Sequence, residues 1–154
     1  MIVYHGSTEI IKNLDVVHSK KYLDFGRGFY ITTFENQAKK WAVRKGMRQE
    51  KAAIVNVYEL SEVWDDFKVL SFEKENEKWL DFVCACRKGQ PLNKEYDIII
   101  GNVADDDVFK TVDMYFRGLW NKEKVLNELR YYKMNNQICI VKQEALDCLL
   151  TFQK

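Results

Sequence analysis

The chain contains only two histidines, and one of them, His5, closes the first apolar run directly before Gly6, Ser7 and Thr8 in IVYHGST. An imidazole can donate or accept a hydrogen bond at neutral pH, and a buried one is seldom free. Further along, Gly26, Arg27 and Gly28 lead into Phe29 and Tyr30, and late in the chain Gln137 opens the run QICIV. The Gly26 to Gly28 pair is not a Rossmann fingerprint, because it lacks the third glycine and precedes a strand-like run where a helix would be needed. Nor is there a P-loop, and no serine or cysteine stands in a recognisable nucleophile context. Cys84, Cys86, Cys139 and Cys148 have neither C-x-x-C repeats nor histidines at zinc-site spacing, so no metal is expected and the thiols read as reduced, small core hydrophobes. Three segments remain, His5-Gly6-Ser7, Gly28-Phe29-Tyr30 and Gln137.

Each of these segments sits on a strand-like run. Met1 to Tyr4 reads as a first strand broken by Gly6, Ser7 and Thr8, and Phe29 to Thr33, β-branched and aromatic, reads as a second. Thr33 to Asn36 looks like a helix start with acid in its first turn. The helix continues through Gln37 to Glu50, with Ala38, Trp41 and Ala42 on a packed face and Lys40, Arg44, Arg48 and Lys51 on a solvated one. Ala53 to Leu60 alternates as a half-buried strand, Phe67 to Leu70 is a weaker strand signal, and Glu73 to Arg87 carries Trp79, Phe82, Val83 and Cys86 at helical spacing. RKGQPLNKE is a loop, Asp97 to Ile100 a buried strand closed by Gly101, and Ala104 to Leu119 and Lys122 to Tyr132 are helices. Gln137 to Val141 is a last strand and Glu144 to Leu150 a last helix.

At 154 residues and 47% hydrophobic, the chain can bury one core and is short for two. With no repeat, low-complexity tract or linker, residues 1–154 read as a single domain of mixed α+β type. The net charge of +1 gives no bulk electrostatic reason for nucleic-acid or membrane binding. No run approaches the roughly 20 apolar residues that span a bilayer, and no leader pattern opens the chain, so a cytoplasmic location without membrane contact is expected.

The three segments YHGS, GRGFYITT and NNQICIV, in that order, resemble the ADP-ribosyltransferase superfamily. The branch is that of diphtheria toxin and the poly-ADP-ribose polymerases, named for a His-Tyr-Glu triad with Asp and Gln variants. There a first strand carries H-G-[ST], a second G-x-G-[FI]-Y with a helix behind it, and a late strand the acidic or amide residue. More closely, nearly the whole chain resembles a bacterial domain family of unknown function regarded as ADP-ribosyltransferase-like, marked by HGS, DFGxGFYxT and a D-I-I-I-G-x-V-A-D-D block. The fold this resemblance implies is a split β-sandwich of two antiparallel sheets with flanking helices, binding NAD as co-substrate in the cleft.

Residue by residue, the resemblance implies that His5 bonds the adenine-side ribose, and that Gly6, lacking a Cβ, lets its backbone amide and carbonyl approach the nicotinamide carboxamide. Ser7 adds a hydroxyl, Gly28 belongs to the same binding set, and Tyr30 and Trp41 sandwich the nicotinamide ring. The triad is then His5, Tyr30 and Gln137. The departure lies at Gln137, which can hydrogen-bond the ribose but lacks the carboxylate charge that stabilises an oxocarbenium-like transition state. Transfer to a good acceptor, which could be protein, nucleic acid or a small molecule, or binding without catalysis, are the outcomes this departure allows, beside a protein-interaction domain with a degenerate cleft. Glu144 and the run Asp105 to Asp107 are the nearby acids, the latter also suited to capping a helix. A neutralising antitoxin protein is a partner implied by the resemblance alone. Taken singly, His5 would read as structural and Tyr30 and Trp41 as core aromatics, so the reading rests on their conjunction.

Overall fold

The β-branched and aromatic runs pair into two sheets in a computed structural model that describes residues 1–19, 23–73, 76–103, 106–129 and 135–154, excluding the side chains of 106, 107, 109 and 129. Strands β1 (Ile2–Ser7), β3 (Ile54–Leu60) and β7 (Leu150–Phe152) form one sheet in the order β1-β3-β7. The second sheet is β2 (Phe29–Ile31), β6 (Gln137–Ile140), β5 (Ile98–Gly101) and β4 (Val69–Ser71), in the order β2-β6-β5-β4. Around them lie α1 (Glu35–Gln49), α2 (Glu77–Arg87), α3 (Asp106–Phe116), α4 (Lys122–Leu129) and α5 (Gln143–Leu149). The result is the expected α+β class with two sheets.

Side-chain alternation along the strands divides the core in two. Phe29, Ile31, Ile98, Ile138 and Ile140 pack with Val3, Tyr58 and Leu60 of the first sheet and with Ala145, Leu146 and Leu149 of α5. From the opposite face of the second sheet, Ile99, Cys139 and Val141 pack with Phe25 and with Trp79, Leu80, Val83, Val108, Val112 and Val125 of α2, α3 and α4. Tyr30 is opposite Cys139, and Gln137 is opposite Gly101, so both side chains belong to this helix-covered face.

Four details differ from the sequence reading. Strand β1 runs through Gly6 to Ser7, because its register with β3 continues to Ser7↔Ile54 and α1 packs over Gly6. The second sheet is not wholly antiparallel: β4 and β5 are parallel, as a crossover through α2 requires. Strand β7, pairing Tyr58 through Leu60 with residues 150–152, carries too short a pattern to stand out from the helix before it. Finally, Cys84, Cys86 and Cys139 are buried free thiols, but Cys148 is exposed, because its position on α5 faces outward. Among the described residues no helix is long and apolar enough to cross a membrane.

Candidate functional site

The two sheets meet where β1 and β2 run side by side, and they part almost at once. Tyr4 and Thr32 exchange backbone hydrogen bonds of 2.8 and 3.0 Å, forming a single isolated bridge. Opposite Tyr4 on the other side, Val57 turns its own amide and carbonyl away, toward Lys154 and Gln153. Backbone polar groups alternate from side to side along an antiparallel strand. Gly6, two residues past Tyr4, therefore also directs its N–H and C=O toward the β2 side. There the carbonyl that would oppose it, that of Tyr30, is taken by the ring of His5, whose Nδ1 lies 2.6 Å away. Gly6 is left with a donor and an acceptor that bond to none of the described residues, at the mouth of the split.

His5 is held as a neutral ring. Burial pushes its imidazole down to about 4 against the upward pull of the Tyr30 carbonyl, with the Lys45 ammonium lowering it further. A carbonyl only accepts, so Nδ1 carries the hydrogen and Nε2 is a lone-pair acceptor. The ring stacks on Phe29 with centroids 4.5 Å apart. Ser7 shares this face of β1 and is buried.

Gly6 is glycine for a reason the sequence did not show. A Cβ there would lie 2.2 Å from the Ala38 carbonyl oxygen and 2.7 Å from the Ala42 amide nitrogen of α1. Trp41, half-buried on the same helix, begins over Gly6, its Cβ 3.0 Å from that point. At Gly28 a Cβ would meet Cys139 Sγ and Ile140 O on β6. Both glycines let neighbouring elements close on the strands that carry the site.

Tyr30 is tied down by its hydroxyl, which accepts from the Phe25 amide at 3.0 Å and donates to the Gly26 carbonyl at 2.5 Å. Burial, with Cys139 and Asp24 nearby, raises its ionisation well above the usual phenol range. Among the described residues neither Tyr30 nor Trp41 makes an aromatic pair, so their rings do not touch each other. Tyr30→Phe should cost about 1 to 3 kcal/mol by leaving the Phe25 amide unsatisfied, read as a lower midpoint in thermal unfolding.

Gln137 is 4% exposed at the start of β6. Its Nε2 donates to Asp24 Oδ2 at 2.9 Å and to the Asn102 carbonyl at 3.3 Å. Asp24 Oδ1 in turn accepts from Arg87 Nε at 2.9 Å and from Arg87 Nη2. The turn of Asp24, Phe25 and Gly26 thus bonds both Gln137 and Tyr30, while His5 holds the backbone of Tyr30.

Two cavities, of about 390 and 580 Å³, lie elsewhere, one beside Asp81, Lys88 and Tyr115 and the other beside Arg27, Pro91 and Lys142. Neither is lined by His5, Gly6, Tyr30, Trp41 or Gln137. Glu144 is exposed on α5, as are Lys40, Arg44, Arg48 and Lys51 at α1 and its end. Asp105 lies outside the described residues, and Asp106 and Asp107 open α3. No cluster of His, Cys, Asp or Glu among the described residues could hold a metal ion.

Compared with known protein families, residues 1–152 match the one described as "Protein of unknown function (DUF3990)". The chain belongs to this family. No curated protein and no solved structure matches it. In this DUF3990 chain the sequence reading missed Asp24, Arg87 and Lys45. Asp24 had a signal, as the first residue of DFGRGFY, but Arg87 at the end of α2 and Lys45 within a basic helix had none.

Proposed function

We propose that the chain binds NAD at the split between β1 and β2 and transfers its ADP-ribose to an acceptor, releasing nicotinamide. The observation that carries this reading is the free N–H and C=O of Gly6. A carboxamide offers the complementary acceptor and donor in one plane, so the two backbone groups can bind it as a missing strand would, and nicotinamide is an aromatic ring bearing that group. Tyr30, on β2, and Trp41, which begins directly over Gly6, are the rings available to pack against it. The Nε2 acceptor of His5 suits a ribose hydroxyl, and Lys45 is a nearby cation for pyrophosphate.

In the reaction the bond from the ribose anomeric carbon to the nicotinamide nitrogen breaks, and its electron pair leaves with nicotinamide. The acceptor supplies the new pair to the anomeric carbon and gives up its proton to solvent. Gln137 orients the ribose through a hydrogen bond, and the two carboxamide contacts of Gly6 hold the leaving group. The acceptor is unspecified by this site, and a neutralising antitoxin remains a proposed partner on the family resemblance.

A second reading, NAD binding without transfer, is favoured by one observation, the amide at 137. The purified protein incubated with NAD should release nicotinamide and label a component of a cell lysate. His5→Ala and Gln137→Ala should each lower release on the order of 10- to 100-fold. Binding without release would establish the second reading, and absence of both would remove NAD from the site.

A further inference from the structure

We propose that Asp24 is a positioning residue that selects an amide at position 137 and turns its oxygen toward the ligand. This rests on the NAD reading above, but the geometry behind it does not. A glutamine amide has two ends of nearly equal size, and what surrounds it decides which one faces out. Here Nε2 faces two groups that can only accept, the Asp24 carboxylate at 2.9 Å and the Asn102 carbonyl at 3.3 Å. Turning the amide over would put oxygen against oxygen at both contacts. Oε1 must therefore point away from them.

That oxygen is also open. Oε1 has no hydrogen bond to a described residue, yet no buried side-chain oxygen or nitrogen among them lacks a partner. The small exposed remainder of Gln137 therefore includes Oε1. Asp24, 8% exposed, is fixed in turn by Arg87, which binds Oδ1 through Nε and Nη2, while Oδ2 accepts from Gln137. The result is a chain of charge-assisted bonds from Arg87 through Asp24 to Gln137, ending at one slightly accessible acceptor.

This arrangement explains the departure from the acidic template. A glutamate at 137 would set a second carboxylate against Asp24 with no hydrogen between them, and like charges at such range cannot both ionise without cost. An amide meets Asp24 with a donor. The carboxylate behind it polarises the amide and increases the negative character of Oε1, so part of the charge a glutamate would offer reaches the ribose through Gln137.

The test compares Asp24→Asn, Gln137→Glu and the exchange variant Asp24→Asn with Gln137→Glu, beside the wild-type protein. Three readouts are followed: thermal unfolding at pH 8, the side-chain amide signals of Gln137 by NMR, and nicotinamide release from NAD. Gln137→Glu should lower the unfolding midpoint by about 5 °C or more, and the exchange variant should recover at least half of that loss. Asp24→Asn should shift the Gln137 amide signals and lower kcat for nicotinamide release about fivefold or more, with KM little changed. A Gln137→Glu protein as stable as wild type, losses that simply add in the exchange variant, or unmoved amide signals in Asp24→Asn would overturn the proposal. If wild-type protein neither binds NAD nor releases nicotinamide, the NAD reading fails alone, since unfolding and NMR still decide whether Asp24 positions Gln137.

Discussion

Gly6→Ala is expected to destabilise the folded chain by about 3 kcal/mol or more, a fall of roughly 6 to 12 °C in the unfolding midpoint. The added methyl would lie 2.2 Å from the carbonyl oxygen of Ala38 and 2.7 Å from the amide nitrogen of Ala42. Neither is the end of a flexible side chain that could swing aside. Both belong to the backbone of α1, whose buried residues are Ala38, Ala42 and Gly46. Small residues on the helix and glycine on the strand bring the two backbones together, so relief requires the whole helix to lift from β1. Because α1 also carries Trp41 and Lys45, a lifted helix would widen the split and weaken the proposed NAD binding in any molecules that remain folded. Lys40→Ala, on the exposed side of the same helix, should leave the stability within about 0.5 kcal/mol of wild type. Equal midpoints for Gly6→Ala and wild type would mean that α1 does not close on β1.

The order of the elements was legible because periodicity reports on burial. AIVNVYEL alternates and forms β3, and the Trp79, Phe82, Val83 and Cys86 spacing marks the packed side of α2. Start signals were less faithful. The helix expected at Glu73 begins at Glu77, where the side chain of Asn76 accepts from the Trp79 amide, a cap that could not be chosen from sequence among several polar residues. His5, Gly6 and Tyr30 could be singled out because local type and order mark them. Their tasks could not be read, because they depend on partners far away in the chain: His5 on the carbonyl of Tyr30, Gly6 on α1, and Gln137 on Asp24. The hydroxyl of Tyr30 closes the turn at Phe25 and Gly26, a task that its place in GRGFYITT does not mark. Contacts across more than a hundred residues, such as Asp24 to Gln137, leave no trace in spacing.

Stability should fall as the pH drops from about 6.5 through 4, and His5 should account for about 3 kcal/mol of that fall. In the fold the imidazole is pushed down to about 4, chiefly because burial disfavours the charged ring. In the unfolded chain it returns to the ordinary value near 6.5. Unfolding in this window takes up a proton, so the neutral ring's contribution is complete above the unfolded value and is lost as pH falls through the folded one. His5→Asn supplies the comparison, since an amide can donate to the Tyr30 carbonyl as Nδ1 does but does not titrate. The wild-type midpoint minus that of His5→Asn should stay flat from pH 7 to 9 and decline below about 6. The only other histidine, His18, has a side chain 86% exposed and is common to both proteins, so it cancels in the difference. The same neutral ring keeps Nε2 an acceptor throughout the physiological range, so the proposed nicotinamide release should show no acidic limb near pH 6.5. A limb there that vanishes in His5→Asn would mean that the ring titrates as a solvated imidazole, and the half-buried, stacked His5 on which the proposed ribose contact depends would have to be abandoned.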